Sequence, residues 1–338
     1  MSANSLVASY SMGIQSAKGT AATAYKTALS TDSTVNVKFD EREPPLEHPA
    51  PAARATNRKI ATLRTGYMVP VGNSFLARPR YLGTCLRAAG FAVSTVNNTT
   101  HYTHTFTLAD RTAFAWATVI HKIIGATNLE RKVTDVRLET FSLNADTKEI
   151  KGETAGFGLL EGDASGSETK VSEIAVELSP AAGSATIVVG GATVASPLRG
   201  MTFEVKNEFD QEDKALFSSA RVDAPQMGLD ITGTLGGVDF DYGTYEMYRR
   251  IVRGGTSATA PSLVSATGAL SFAYQSASNI TGAAVPYSLS VALDTVDYMF
   301  QDVQASGNEM IRGDINWAMI DGVTTPITIV LVNDQAAY

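Results

Sequence analysis

The chain has one cysteine, Cys85, so no disulfide can form within it. A lone cysteine in a helical, apolar setting reads as a core thiol rather than a nucleophile. No run of about 18 apolar residues is present, which excludes a conventional transmembrane helix. Met1–Lys26 lacks a basic start followed by an apolar stretch, so it does not read as a secretory signal, and a reducing cytoplasm is the expected compartment. Basic surplus is missing too: 27 Lys and Arg face 34 Asp and Glu, a net charge of -7. Tight binding of nucleic acid through phosphates needs a basic face, and this balance argues against it.

Chemistry-bearing motifs are equally scarce. Gly190-Gly191, Gly236-Gly237 and Gly254-Gly255 make neither GxGxxG nor GxxxxGK[ST], and there is no GxSxG elbow. His101 and His104 lie three apart on an expected strand and so face opposite sides, while His48 and His121 have no ligand at metal spacing. Asp40, Glu41, Glu43, Asp210, Glu212 and Asp213 lack the glycine and spacing of a calcium loop. No catalytic, cofactor or metal site is expected. Trp116 and Trp317 fall in different halves, against a carbohydrate cleft with clustered aromatics, which is the most distant alternative.

What the chain does have is alternation. At 44% hydrophobic and 18% charged it can bury two modest cores, and 338 residues fit two domains of roughly 100–200 residues. Period-two patterns mark strands at 35–39, 66–75, 101–108, 113–120, 133–143, 148–157, 201–206, 227–235, 237–241, 270–273, 287–301, 309–319 and 327–332. Pro79–Gly90 and Tyr242–Arg253 read as short helices, each closed by glycine. Four prolines between Glu43 and Pro51 exclude regular structure there.

The halves repeat. Gly83-Thr84 answers Gly243-Thr244, a spacing of 243 − 83 = 160, and Gly152 answers Gly313, a spacing of 313 − 152 = 161. Val37-Lys38-Phe39-Asp40-Glu41 also resembles Val205-Lys206 with Phe209-Asp210-Gln211, each leading into a charged loop. The expected fold is mainly β: two tandem β-sandwich or barrel repeats, each with one flanking short α-helix. The expected division is an extended arm at 1–32, a first repeat at 33–165, a linker at 166–197 and a second repeat at 198–338.

The small-residue segment Gly13–Gly19, Tyr102-Thr103-His104-Thr105-Phe106, Lys132–Val136, Arg199–Glu208 and Ile327–Asn333 together resemble the major tail tube protein of long, flexible-tailed bacteriophages, in a duplicated form. The resemblance covers nearly the whole chain and rests on order and duplication. It implies a non-enzymatic virion component assembled in the host bacterial cytoplasm. Rings would stack into a hollow tube through which DNA leaves without specific binding. Single-domain members form rings of six, so a duplicated chain implies a homotrimer with pseudo-sixfold symmetry. Its partners would be further copies of itself and the tape measure, tail terminator and baseplate proteins, with no membrane insertion. A terminator or baseplate hub of the same fold is the nearer alternative. The hairpins 133–143 with 148–157 and 289–301 with 309–319 are the expected tube wall. Charged loops would reach the next ring through Asp40, Glu41, Arg42, Glu43, Arg54, Arg58, Asp210, Glu212, Asp213 and Lys214. Charge reversal at Asp210 and Glu212 is therefore expected to impair tube formation as seen by electron microscopy, and tubes as abundant as those of the unaltered chain would remove the stacking role.

Overall fold

A computed structural model describes residues 7–42, 63–124, 128–194, 198–211, 221, 223–239, 242–300, 312–322 and 325–338. The first half contains β1 (Val7–Ile14), β2 (Ala24–Ala28), β3 (Ser30–Val35), β4 (Lys38–Arg42), β5 (Leu63–Leu76), α1 (Pro79–Ala88), β6 (Phe91–Asn97), β7 (Tyr102–Leu108), β8 (Ala117–Ile124), β9 (Leu129–Ala145), β10 (Ile150–Asp163) and β11 (Thr169–Ser172). The second contains β12 (Leu178–Val189), β13 (Ala192–Val194), β14 (Gly200–Phe209), β15 (Gln226–Asp239), α2 (Tyr242–Arg253), β16 (Ala266–Asn279), β17 (Pro286–Phe300), β18 (Arg312–Met319) and β19 (Ile327–Asn333). The fold is mainly β, and among the described residues no helix is long and apolar enough to cross a membrane.

The pairings repeat. β1 pairs with β8, β8 with β9, β9 with β10 and β10 with β5; in the same order β12 pairs with β16, β16 with β17, β17 with β18 and β18 with β15. Each helix follows directly on the strand that closes this series, β5 or β15. Strands β3 and β4 form one run along β5, since the Asn36 amide also bonds the Pro70 carbonyl, and β14 takes that place on β15.

Two expected segments are thereby corrected. The arm at 1–32 is not a loose extension over its described residues: β1 lies between β2 and β8, with Tyr10 and Met12 fully buried. Its low hydropathy misleads because small hydroxyls pair across strands, as in the 2.8 Å bond between Ser11 Oγ and Thr27 Oγ1. The linker at 166–197 likewise carries β11, β12 and β13, anchored in the core by Leu178, Ile187 and Val189 around an exposed run of small residues. Each segment carries the hairpin that starts a repeat, β1–β2 in one and β12–β13 in the other. The strand expected at 113–120 lies at 117–124, because Asp110 caps a 3-10 turn at Arg111–Ala113.

Helix α1 starts at Pro79, whose missing N–H costs nothing there. Its first amides find the Glu173 carboxylate, which accepts from Arg80 N at 3.2 Å and Tyr81 N at 2.5 Å. The C-terminus of the chain closes over the helix: the Tyr338 hydroxyl donates to the Pro79 carbonyl at 3.1 Å, and its ring lies where a Cβ on Gly83 would come within 2.4 Å. Overfilling a packed site costs about 1–3 kcal/mol. Gly83→Leu is expected to lower the melting temperature accordingly, and Tyr338→Ala in the same chain to restore part of the loss. Strictly additive losses in the double variant would rule out the ring as the cause.

Candidate functional site

One feature joins both repeats. The C-terminal part of β9 pairs with β14, from Met201 opposite Ala145 to Lys206 opposite Thr140. An unbroken antiparallel sheet then runs β3/β4, β5, β10, β9, β14, β15, β18, β17, eight strands if β3 and β4 are taken as one.

A single cross-strand row shows how its two faces differ. On the inner face Phe75, Gly152, Leu143, Phe203, Gly233, Trp317 and Tyr298 follow one another in register. Glycine stands there because aromatic rings occupy its side-chain space: a Cβ on Gly152 would lie 2.5 Å from the Phe75 ring, and one on Gly233 2.4 Å from Trp317. Gly152 and Gly313 hold matching places, opposite Phe75 on β5 and Val238 on β15; Gly83 and Gly243 lie in α1 and α2. One residue along, the outer face reads Asp32, Ser74, Glu153, Ser142, Glu204, Thr232, Ala318 and Asp297. Carboxylates occupy every second strand or so, about 10 Å apart, separated by small side chains. Glu208, Asp230 and Asp314 add to this face, and Lys38, Lys151 and Lys206 are exposed lysines on it. It is an acidic surface with an open depression lined by Asp32, Ser74, Thr140, Ser142, Glu153 and Glu204.

The junction between the repeats is heavily built. Phe114 meets Phe209, at the end of β14, edge to face at 5.5 Å. The Arg137 guanidinium stacks 3.5 Å from the Trp116 ring centre and donates to the Phe114 carbonyl at 2.8 Å. Burial lowers its pKa to about 10, which still leaves it charged at neutral pH. Asn207 donates to the Ala89 and Leu138 carbonyls, so β14 continues to Phe209 where a loop from Asn207 was expected. At the opposite end β7 pairs with β19, and His104 Nε2 lies 3.1 Å from Asn333 Oδ1 and 2.9 Å from the Gln335 carbonyl.

Of the expected ring-stacking residues, Asp40, Glu41 and Arg42 lie on β4, with Glu41 opposite Arg64, and Asp210 follows β14, its amide bonded to the Pro225 carbonyl. The structure places them at corresponding ends of β4 and β14. Glu43, Arg54, Arg58, Glu212, Asp213 and Lys214 lie outside the described residues, as does His48. His101 precedes β7 instead of sharing the strand with His104. No group of three metal-capable side chains occurs among the described residues. Burial pushes the Cys85 thiol well above its ordinary range, as for an inert core thiol. The glycine and aromatic row was not anticipated; large residues flanking a small one in Phe141-Ser142-Leu143 and Ile315-Asn316-Trp317 were its available signal.

Neither protein-family models nor curated protein sequences give a match to this chain.

Buried His104 and His121 are both held below the usual histidine range, chiefly by desolvation. The folded chain therefore keeps them neutral while the unfolded chain takes up protons below about pH 6.5. Stability is full above that pH and declines as the pH falls through it toward the folded-state values. Thermal melts between about pH 7 and pH 5 should show this decline, and His104→Gln should flatten it; an unchanged slope in that variant would remove His104 as a contributor.

Proposed function

We propose that the chain is a structural, non-enzymatic protein that closes into rings and stacks into a tube of the phage tail type, its spanning sheet forming the wall. The observation that carries this reading is the eight-strand sheet with one aromatic, buried face and one acidic face whose carboxylates are spread along the row and do not converge. A ligand site needs concavity and convergent polar groups. A conduit needs a surface to which its cargo does not stick, and spaced carboxylates among serines and threonines repel phosphate.

The sheet also has an edge to cover. Among the described residues β3 and β4 pair only with β5, leaving a long strand edge open, and such edges invite pairing with another chain. Their counterpart β14 has that edge covered by β9 of the same chain. A second copy bringing the end of its β17, past the stretch that β16 covers up to Tyr298, to the β3–β4 edge would repeat the arrangement already made inside the chain by β9 and β14. Repetition of that step makes a closed ring, and closure removes edges altogether. Three chains give 3 × 8 = 24 strands; at ~4.8 Å per strand the perimeter is ~115 Å and the diameter between backbones ~37 Å before strand tilt widens it. Partners at the ends of such a tube would be terminator, baseplate and tape measure proteins.

Negative-stain microscopy of the purified chain should show hollow tubes, and sedimentation of the disassembled material should show trimers. Single rings that never stack would favour a terminator or hub of the same fold, and a monodisperse monomer at all concentrations would refute the ring.

A further inference from the structure

The two helices differ in what encloses them. Helix α1 packs on β1, β2 and β9 of its own repeat and also on β17 and β19 of the other. It is buried nearly all round, from Tyr81 to Leu86 and again at Ala88, as a helix packed from both sides must be. Helix α2 packs on β12, β13, β16 and β17, all of its own repeat. Met247 and Ile251 are its buried side chains among the described residues. At ~100° per residue, Tyr245, Arg249 and Arg253 stand on the opposite side. Arg249 lies over Tyr245 and Arg253 over Tyr248, 5.6 and 5.9 Å from the ring centres. Neither guanidinium meets a carboxylate among the described residues, whereas Arg250 takes Glu246 at 2.6 Å.

Strand register shows what corresponds to the surface that α1 meets. β8 and β16 take the same bulge on their partners, between Val136 and Val133 of β9 and between Val296 and Leu293 of β17. Val133 and Leu293 therefore correspond, and opposite them stand Glu161 of β10 and Ile327 of β19. Two residues on, Asp163 pairs with Arg131 and Ile329 with Val291. Ile327 and Ile329 are fully buried, in strands on which α1 packs. In the same two places the first repeat has carboxylates, Glu161 half-buried and Asp163 exposed, neither with a side-chain partner among the described residues. The Arg131 guanidinium is turned to the Val35 carbonyl instead. Helix and strand thus change together: an apolar helix goes with isoleucines, and a basic helix surface goes with carboxylates.

We infer that α2 of one copy seats on β9 and β10 of the next, with Arg249 and Arg253 against Glu161 and Asp163, enclosing α2 between chains as α1 is enclosed within one. The inference rests on the ring reading above and adds the contact that selects the partner. Within the chain, the step from first to second repeat pairs β9 with β14 and sets α1 against β17 and β19. The ring repeats that step from the second repeat of one copy to the first repeat of the next, which sets α2 against β9 and β10. The occupant is a second copy because both halves of the contact are on this chain and their charges are opposite. The change in composition is coherent. Within the chain the contact is made once, during folding, and can be apolar. Between chains its groups face water until a partner arrives, and charged groups tolerate that exposure while speeding and orienting the encounter.

The test reverses charge in the full-length chain and follows assembly by sedimentation. Arg249→Glu with Arg253→Glu, and separately Glu161→Lys with Asp163→Lys, should each raise the concentration for half-assembly into trimers by roughly tenfold or more. None of these side chains is in the core, so melting temperatures of the single chains should hold; the neutral pair Arg249→Gln with Arg253→Gln should weaken assembly less. The chain carrying all four reversals restores opposite charges across the contact and should recover trimers that neither pair forms. Reversed pairs that assemble like the unaltered chain, or a fourfold variant no better than either pair, would overturn this contact and leave the ring intact. Single chains of the unaltered protein at every concentration would overturn the ring reading itself and this contact with it.

Discussion

The pairing of β9 with β14 is the constraint on which the rest depends. It spans six registered residues, Thr140–Ala145 against Met201–Lys206, and it fixes the faces of both repeats at once. A slip of one residue would turn Phe203 and Val205 outward and Glu204 inward, so register and core are specified together. The row of Phe75, Gly152, Leu143, Phe203, Gly233, Trp317 and Tyr298 shows how it is held. Large rings project over glycines on neighbouring strands, and any shift sets ring against ring or leaves a void.

At the other end of the molecule the repeats are fastened differently. The β6–β7 hairpin of the first repeat lies along β19 of the second, and the last residues of the chain return to α1 through Asn333, Asp334 and Tyr338. Asn333 donates to the Pro79 carbonyl at 2.8 Å and Arg80 pairs with Asp334. The second repeat has no counterpart of β6–β7: only twelve residues, 254–265, separate α2 from β16, where 89–116 separate α1 from β8. The repeats share a framework but not their fastenings.

Much of that framework was legible. Strong alternation located β7, β9, β10, β14, β17 and β19, and the proline and glycine punctuation located both helices, with Tyr242–Arg253 matching α2 end to end. The glycine anchors pointed to the duplication because Gly152 and Gly313 hold matching places opposite β5 and β15. The opening hairpins of the repeats were not legible. In β1 the buried face includes Ser11, satisfied by Thr27, and in β12 six consecutive residues from Ala181 to Thr186 are exposed, so neither shows the apolar period on which strand reading relies. β6 carries its burial only at Phe91 and leaves Val96 exposed, which makes its sequence look like loop. The row of acidic residues could not be read either. Asp32, Glu153, Glu204 and Asp297 are dispersed over 266 positions, 297 − 32 + 1, and only strand register brings them into line.

Duplication has an energetic consequence for a ring-forming chain. Bringing two free proteins together costs on the order of 4–15 kcal/mol in lost translation and rotation before any contact is counted. A junction within one chain avoids that cost, since its halves are already tethered and loop closure is a far smaller penalty. On the ring reading, every second junction is of this kind, and it is the one that carries the buried Arg137, the Trp116 stack and the added β6–β7 hairpin. Such a chain folds completely before it assembles. On that reading, control over when rings close rests on concentration and on whatever nucleates the first ring, because the single chain already satisfies its core.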